Sequence, residues 1–139
     1  MRILLALFAG VILGATVVTL ADSTPEWPWG PELDAVAAAP ESHRVLLEND
    51  QVRVLEVVIR AGEKEPAHTH PWPSVMISDS AARLRYYNAE DKLVFEHPED
   101  RKPPSELGAD WMKPEGLHAV ECIDEVPFRA IRVELKRAK

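Results

Sequence analysis

The last strand-like segment of the chain alternates between apolar and charged residues. Ile131, Val133 and Leu135 are separated by Arg132 and Glu134, which is the two-residue period of a strand with one buried face. Other runs rich in β-branched residues, HRVLLEND and QVRVLEVVIRAGE among them, are divided by short turn signals. The pattern predicts seven or eight short strands with little helix, which is typical of a sandwich or a closed barrel.

The middle of the chain contains a second clear strand signal. ARLRYYNAEDKLVFEH consists of two such runs around Asn88-Ala89-Glu90-Asp91, and this arrangement predicts a β-hairpin. We find no internal repeat, so the strands are expected to form a single domain over residues 43–139.

The N-terminal segment has a different composition. Residues 3–21 carry no charge and follow Met1-Arg2, so residues 1–21 are predicted to be a secretory leader that is cleaved before Asp22. An uncleaved anchor is the alternative, because the apolar run just reaches the length of about 18 residues that can span a bilayer. Cleavage predicts a periplasmic or secreted protein, whereas an anchor predicts a membrane-bound domain that faces outside.

Residues 22–42 form a segment rich in proline and tryptophan between the leader and the strands. Four prolines interrupt it, and only Glu32–Ala39 has room for a short helix. Trp27 and Trp29 either pack this arm onto the domain or lie exposed on an extended tether.

Charge and cysteine content narrow the possible functions. The formal net charge of −7 argues against nucleic acid as a partner, since phosphate contacts need a basic face. Cys122 is the single cysteine, so an internal disulfide is excluded.

Two histidines provide the first candidate chemistry. In GEKEPAHTHPWPSV, His68 and His70 are separated by one residue, so in a strand both side chains point to the same face. Two imidazoles placed in this way can bind one metal ion, but such a pair is more often surface or a hydrogen-bonded couple.

The spacing around these histidines resembles the conserved motifs of the cupin superfamily. Gly62, His68 and His70 fit the first motif, G-x5-H-x-H, and GADWMKPEGLHAVEC resembles the second, with His118 as its histidine. Its Gly116 and His118 stand one residue closer than the family pattern has them. The resemblance implies a cupin-type double-stranded β-helix, or jelly-roll barrel, and a homodimer. It also implies a divalent metal on His68, His70 and His118, with iron, zinc, nickel and manganese all open.

Two positions depart from the family pattern. The motif glutamate three or four residues after the second histidine is replaced by Ser74 and Val75, and Cys122 replaces the closing asparagine. Cys122 is rejected as a ligand because it lies roughly 13 Å along the strand from His118. Glu121 is rejected because it points to the opposite face. A site of neutral histidines without a carboxylate is the expectation.

Other side chains are assigned from their types and neighbours. The predicted pocket lining comprises Trp72, Met76, Tyr86, Trp111, Met112 and Cys122, although aromatic and methionine residues are also common in plain cores. Gly62, Pro114 and Gly116 are assigned to tight turns. His43 and His97 belong to no motif and are assigned to the surface.

Three functions follow from these assignments. The first is an exported metalloenzyme that acts on a small molecule, with oxygenase chemistry by family analogy. The second is a non-catalytic cupin that binds a metal or small ligand, such as a sensor. The third is a metal-free structural barrel.

Overall fold

The computed structural model describes residues 27–78, 80–100 and 107–136. Within these ranges the chain forms one short 3₁₀ turn, Pro31–Leu33, one single-turn helix, α1, Ala35–Ala38, and nine strands. The strands are β1 His43–Glu48, β2 Val52–Ile59, β3 His68–His70, β4 Ser74–Ser78, β5 Leu84–Tyr87, β6 Leu93–Glu96, β7 Gly108–Met112, β8 Glu115–Cys122 and β9 Phe128–Leu135. The predicted leader, residues 1–21, lies outside the described residues.

Two antiparallel sheets make up the domain. One sheet has five strands in the order β1-β2-β9-β4-β7, and the other has four in the order β3-β8-β5-β6. The predicted hairpin is confirmed, because β5 pairs with β6 across Asn88–Lys92, with Asp91 in the left-handed region at φ 57°. Gly62 has φ 71°, as its predicted turn requires.

The apolar core lies between the two sheets. Leu55, Val57 and Ile59 of β2 pack with side chains of β5 and β8 from the opposite sheet, including Leu84 and Val120. Cys122 belongs to this core and is fully buried. The sheets are therefore packed face to face around a single interior, as the all-β prediction requires.

Strand β9 alternates as predicted, but in its second half the charged side chains are more deeply buried than the apolar ones. Arg132 and Glu134 are 2% and 0% exposed, whereas Ile131 and Val133 are only partly buried. The charged face of this half of the strand therefore points into the interior. The pairing of β9 with β2 determines which face of β9 is buried, since Glu134 lies opposite the inward Arg53 of β2.

The described part of the arm packs against the domain. Ala35 and Ala39 are almost fully buried, and Thr69 Oγ1 of β3 donates a hydrogen bond to the Leu33 carbonyl at 3.1 Å. Gly116 lies within β8 rather than in a tight turn, and a Cβ there would meet the Trp29 ring at 2.5 Å. Trp29 is thus seated on β8, and the tether alternative is wrong from residue 27 onward.

Within these described ranges, no helix is long and apolar enough to cross a membrane.

Candidate metal centre

The histidines of β3 and β8 meet through strand pairing. His68 lies opposite His118 and His70 opposite Glu115, with an irregularity in the register between the two pairs. The ring centroids of His68 are 5.0 Å from those of His70 and 4.6 Å from those of His118. His70 and His118 are 5.8 Å apart between centroids. The structure therefore brings the three predicted residues into one cluster inside the domain.

A fourth imidazole completes the cluster. His43, at the start of β1, is 4% exposed, and its ring centroid lies 4.6 Å from that of His68 and 5.2 Å from that of His70. Its assignment to the surface is wrong. The remaining residues of β1 are exposed, so the burial pattern of this strand gives no signal for an inward residue at its first position.

Two groups of side chains have the geometry of metal ligands. The ligand atoms of His43, His68 and His70 all lie within 4.8 Å of one another, and so do those of His70, Glu115 and His118. The predicted trio is divided between these groups, with His70 common to both. Metal coordination by His68, His70 and His118 stays a prediction.

Carboxylates are present in the cluster, contrary to the expectation of a site without one. Glu115, the middle residue of Pro114-Glu115-Gly116, enters through its register opposite His70. Glu65 is buried, with Oε1 3.7 Å from His68 Nε2. The sequence carried a usable signal only for Glu115, which stands inside the second motif. Glu65 lies in an irregular segment between β2 and β3, where no hydrophobic periodicity predicts the direction of a side chain.

Hydrogen bonds fix how the three predicted rings face the site. The Nδ1 atoms of His68 and His118 lie 2.9 and 2.8 Å from the carbonyl oxygens of Pro66 and Gly116, respectively. His70 Nδ1 lies 2.7 Å from Glu134 Oε1. Because carbonyl and carboxylate oxygens only accept, each Nδ1 must carry the proton. Each neutral ring then keeps its lone pair on Nε2, which is the arrangement that metal-bound histidines require.

Burial keeps the imidazoles neutral. It lowers the pKa of His43 to about 4 and that of His68 to about 2, and it lowers the pKa of His70 well below the usual value. The positive charge of Arg132 adds to the effect at all three. Burial also raises the pKa of Glu65 to about 8. His43, His68 and His70 are therefore unprotonated at neutral pH, as ligation requires.

A buried ion-pair chain supports His70 from behind. Glu134 accepts from Arg53 Nε at 2.5 Å through Oε2, while Oε1 accepts from His70. The Arg53 guanidinium also donates two hydrogen bonds to Asp34 at 2.8 and 2.9 Å, and it stacks on Trp72 at 4.8 Å. This chain connects the arm to the ligand candidate, and the orientation of His70 depends on it.

The cluster borders a small cavity that shares wall residues with a larger cleft. A cavity of about 30 Å³ is lined by the histidines together with Met76, Tyr86 and Met112. These three also line a neighbouring cleft of about 440 Å³, which Trp111 borders at the outside. The cavity has room for about two waters or a similarly small group, and the shared side chains place it next to the cleft.

The predicted lining residues divide between these spaces. Met76, Tyr86 and Met112 line the cavity, whereas Trp111 borders only the outer cleft. Trp72 lies elsewhere, in a cleft lined by Trp27, Trp29 and residues of the arm. The Cys122 thiol donates to the Val126 carbonyl within the apolar core. The placement of Trp72 and Cys122 at the site is therefore corrected, because the side chain of each packs in a different compartment.

No protein-family model matches the sequence, and a search of curated proteins found no match. Solved structures do resemble the fold. A cupin domain from Bordetella pertussis Tohama I superposes with a TM-score of 0.55 at 18% identity, over 68% of this chain and 91% of that one.

A Klebsiella pneumoniae protein with a double-stranded β-helix domain gives a TM-score of 0.47 at 16% identity, over 70% and 78% of the two chains. An RmlC-like cupin family protein from Methanocaldococcus jannaschii also gives 0.47, at 12% identity over 67% and 77%. The likeness to the Bordetella domain shows that the chain has the cupin double-stranded β-helix fold.

Proposed function

Starting from a cupin fold with a buried histidine cluster, we propose that the protein binds one divalent transition metal through Nε2 of His68, His70 and His118. The observation that carries the proposal is the hydrogen bonding of the opposite ring nitrogens. All three Nδ1 atoms are held by oxygen acceptors, so three Nε2 lone pairs are free to bind metal. Histidine ligands in metal sites are oriented in the same way.

The neighbouring residues fit such an ion. Imidazole nitrogen suits zinc, iron and nickel, and a nearby carboxylate adds charge attraction. Glu115 lies within ligand reach of His70 and His118, and His43 is close to His68 and His70. A bound metal would supply Lewis acidity and open positions for a small ligand.

Several of the chain's own groups position such a ligand. Glu134 fixes the ring plane of His70, and Met76, Tyr86 and Met112 line both the cavity and the neighbouring cleft. Small size is required next to the histidines, because the cavity there is only about 30 Å³. A small-molecule ligand is therefore the partner that the site favours.

Zinc titration calorimetry against a competing chelator tests the proposal. Wild-type protein is expected to bind one zinc per chain, and His118→Ala should weaken binding by more than about 100-fold, since losing even an outer-shell partner costs 10- to 100-fold. His97→Ala is the matched control. The Nδ1 atom of His97 accepts from the Leu84 amide at 3.0 Å, and this histidine lies in neither ligand group. Equal zinc affinity in both variants would contradict the proposal.

Catalysis is a second candidate function, and Glu65 favours it. Its carboxyl lies 3.7 Å from His68 Nε2 in a buried setting, where a group able to exchange a proton would touch a bound substrate. Oxygen uptake by iron-loaded protein, measured with a panel of small thiols and diketones, tests this activity. Uptake that disappears in His118→Ala would favour an oxygenase, and an inert iron-loaded protein would favour the sensor or ligand-binding function.

We also infer export and self-association. The uncharged run 3–21 supports a leader, and sequencing of the mature N-terminus would test whether the chain starts at Asp22. Edge strand β1 exposes Val45, Leu46 and Leu47, an apolar surface that supports the homodimer prediction. Analytical ultracentrifugation of wild type and Leu47→Glu would test it, since the substitution should shift a dimer toward monomer.

A further inference from the structure

Arg132 is an unusual component of the cavity wall. Its side chain is 2% exposed and borders the same cavity as the histidines. Nη1 lies 2.6 Å from Glu115 Oε2. Nε and Nη2 are buried and have no hydrogen-bond partner in the described part of the chain, although Nε lies 3.7 Å from Glu134 Oε1. A buried guanidinium with two unused donors is costly unless something else accepts from them.

The two unused donors have a defined geometry. Nε and one terminal nitrogen of a guanidinium form a planar fork, and a carboxylate accepts from such a fork through both oxygens. Glu134 does not accept from it, because its nearer oxygen, Oε1, lies 3.7 Å from Nε and is outside hydrogen-bond distance. The fork is therefore left for a group that comes from outside the chain.

The surroundings of the guanidinium favour an anion once a metal is bound. Glu115 is the carboxylate in contact with Arg132, and it also lies within ligand reach of His70 and His118. A divalent cation held there would add positive charge beside the guanidinium. A monoanionic ligand on the fork would offset this charge, as a buried charge requires.

The side chains shared by the cavity and the neighbouring cleft of about 440 Å³ are mainly apolar. They are Met76, Leu84, Tyr86, Met112 and Phe128. The rest of the cleft is more polar and includes Ser78, Ser80, His97 and Asp110. Such walls suit a hydrocarbon body and disfavour a second charge. An inorganic anion such as phosphate would leave this surface without a partner.

Resting on the proposed metal site, we propose that the protein binds a small monocarboxylate, with the carboxylate on Nε and Nη2 of Arg132 and the apolar body in the cleft lined by Met76, Tyr86 and Met112. Arg132 thereby determines ligand class, and the positive charge of the metal adds to the attraction for an anion. The neutral amide of the same acid should be rejected, because it can satisfy only part of the fork and leaves the positive charge uncompensated.

Butyrate and butyramide, which share shape and differ in charge, test the proposal on zinc-loaded full-length protein. Zinc stoichiometry is measured first, and each probe is then titrated by calorimetry. We expect butyrate to bind at least about tenfold more tightly than butyramide. Arg132→Lys should lower butyrate affinity by about tenfold or more at unchanged zinc stoichiometry, since lysine keeps the charge and loses the fork. Arg85→Lys, at an exposed ion pair with Glu96, is the control and should leave both values unchanged.

The possible failures are distinguishable. Stoichiometric zinc with equal affinity for butyrate and butyramide overturns the carboxylate proposal and leaves the metal site standing. Failure to bind zinc overturns both. If Arg132→Lys does not fold, equal affinity for the two probes on wild-type protein still overturns the carboxylate proposal.

Discussion

The two ends of the domain interior are built from the same strands but have opposite chemistry. At one end, Val57 and Ile59 of β2 lie opposite Ala130 and Phe128 of β9, and the contact is apolar. At the other end, Arg53 of β2 lies opposite Glu134 of β9, and both are almost fully buried.

This contrast separates two tasks of the interior. The apolar end stabilises the fold by removing hydrocarbon from water. The polar end places charges where their desolvation is expensive, and a buried ion pair often contributes no net stability compared with apolar residues. Stability therefore does not explain the polar end, whereas orientation of His70 by Glu134 does.

The largest effect is expected from breaking the polar end. Glu134→Leu leaves Arg53 without one of its two carboxylates and His70 without its acceptor. We expect the unfolding free energy of the metal-free protein to fall by about 3–5 kcal/mol, because an uncompensated charge stays buried. Urea denaturation with chelator present measures the change. Glu56→Leu removes a carboxylate from the surface pair with Arg44 and should cost less than about 1 kcal/mol. Similar losses of unfolding free energy in both variants would contradict the contrast between the two ends.

Truncation of a side chain at the apolar end should lower the unfolding free energy without affecting metal binding. Leu55 is fully buried in the core, and Leu55→Ala should cost about 3 kcal/mol, within the range for cavity-forming substitutions. Leu47→Ala, on the half-exposed part of β1, should cost far less. Zinc stoichiometry should stay at one in both variants, and its loss in folded Leu55→Ala would show that the two ends are not separable.

The pH dependence of stability should come from the polar end. The unfolded chain protonates histidine below pH 6.5, whereas the folded pKa values of His43 and His68 are about 4 and 2. The unfolded state therefore binds more protons, and stability falls as pH drops below 6.5. Glu65 acts in the opposite sense, because its pKa rises from 4.5 to about 8 on folding. Its contribution to the unfolding free energy is therefore lost as the pH rises from 4.5 to about 8.

These opposing effects predict maximum stability of the metal-free protein near pH 6.5. A loss on the order of 2 kcal/mol is expected between pH 6.5 and 5, the histidine effect being partly offset by Glu65. Glu65→Gln should remove the decline on the alkaline side and keep the acid one. Urea denaturation across this pH range measures the fall in stability on the acid side and on the alkaline side. An unfolding free energy that does not change with pH would mean that the histidines are already charged or exposed.

The smallest effect concerns the arm that covers the polar end. Gly116→Ala would push a Cβ to 2.5 Å from the Trp29 ring, so the indole must move. We expect a cost of about 1–2 kcal/mol, as for other overpacking substitutions. Acrylamide quenching of tryptophan fluorescence should increase. Trp29→Ala combined with Gly116→Ala should show no additional cost over Trp29→Ala, and additive costs would place the strain elsewhere.

Local periodicity predicted an all-β domain of seven or eight strands and the hairpin, and the structure has nine strands in its described part. The cupin fold was implied by the resemblance of two motifs to that family, and it is confirmed. Periodicity also predicted that His68 and His70 share a face. It did not predict which face of β9 is buried, since alternation gives two faces and only the pairing with β2 decides between them. His43 and Glu65 were missed for a related reason, because the fold brings them to the site from segments in which no period assigns a side.

The measurement that tests the central claim most directly is ¹⁵N NMR of the histidine rings during zinc titration. In the metal-free protein at pH 7, His68 and His70 should be neutral with the proton on Nδ1. His118 should also carry a proton on Nδ1, whereas His97 should carry one on Nε2 because its Nδ1 is an acceptor. One equivalent of zinc should then shift Nε2 of the first three rings and leave His97 unchanged. Protons on Nε2 of the cluster, or zinc-induced shifts that appear only at His97, would contradict the account.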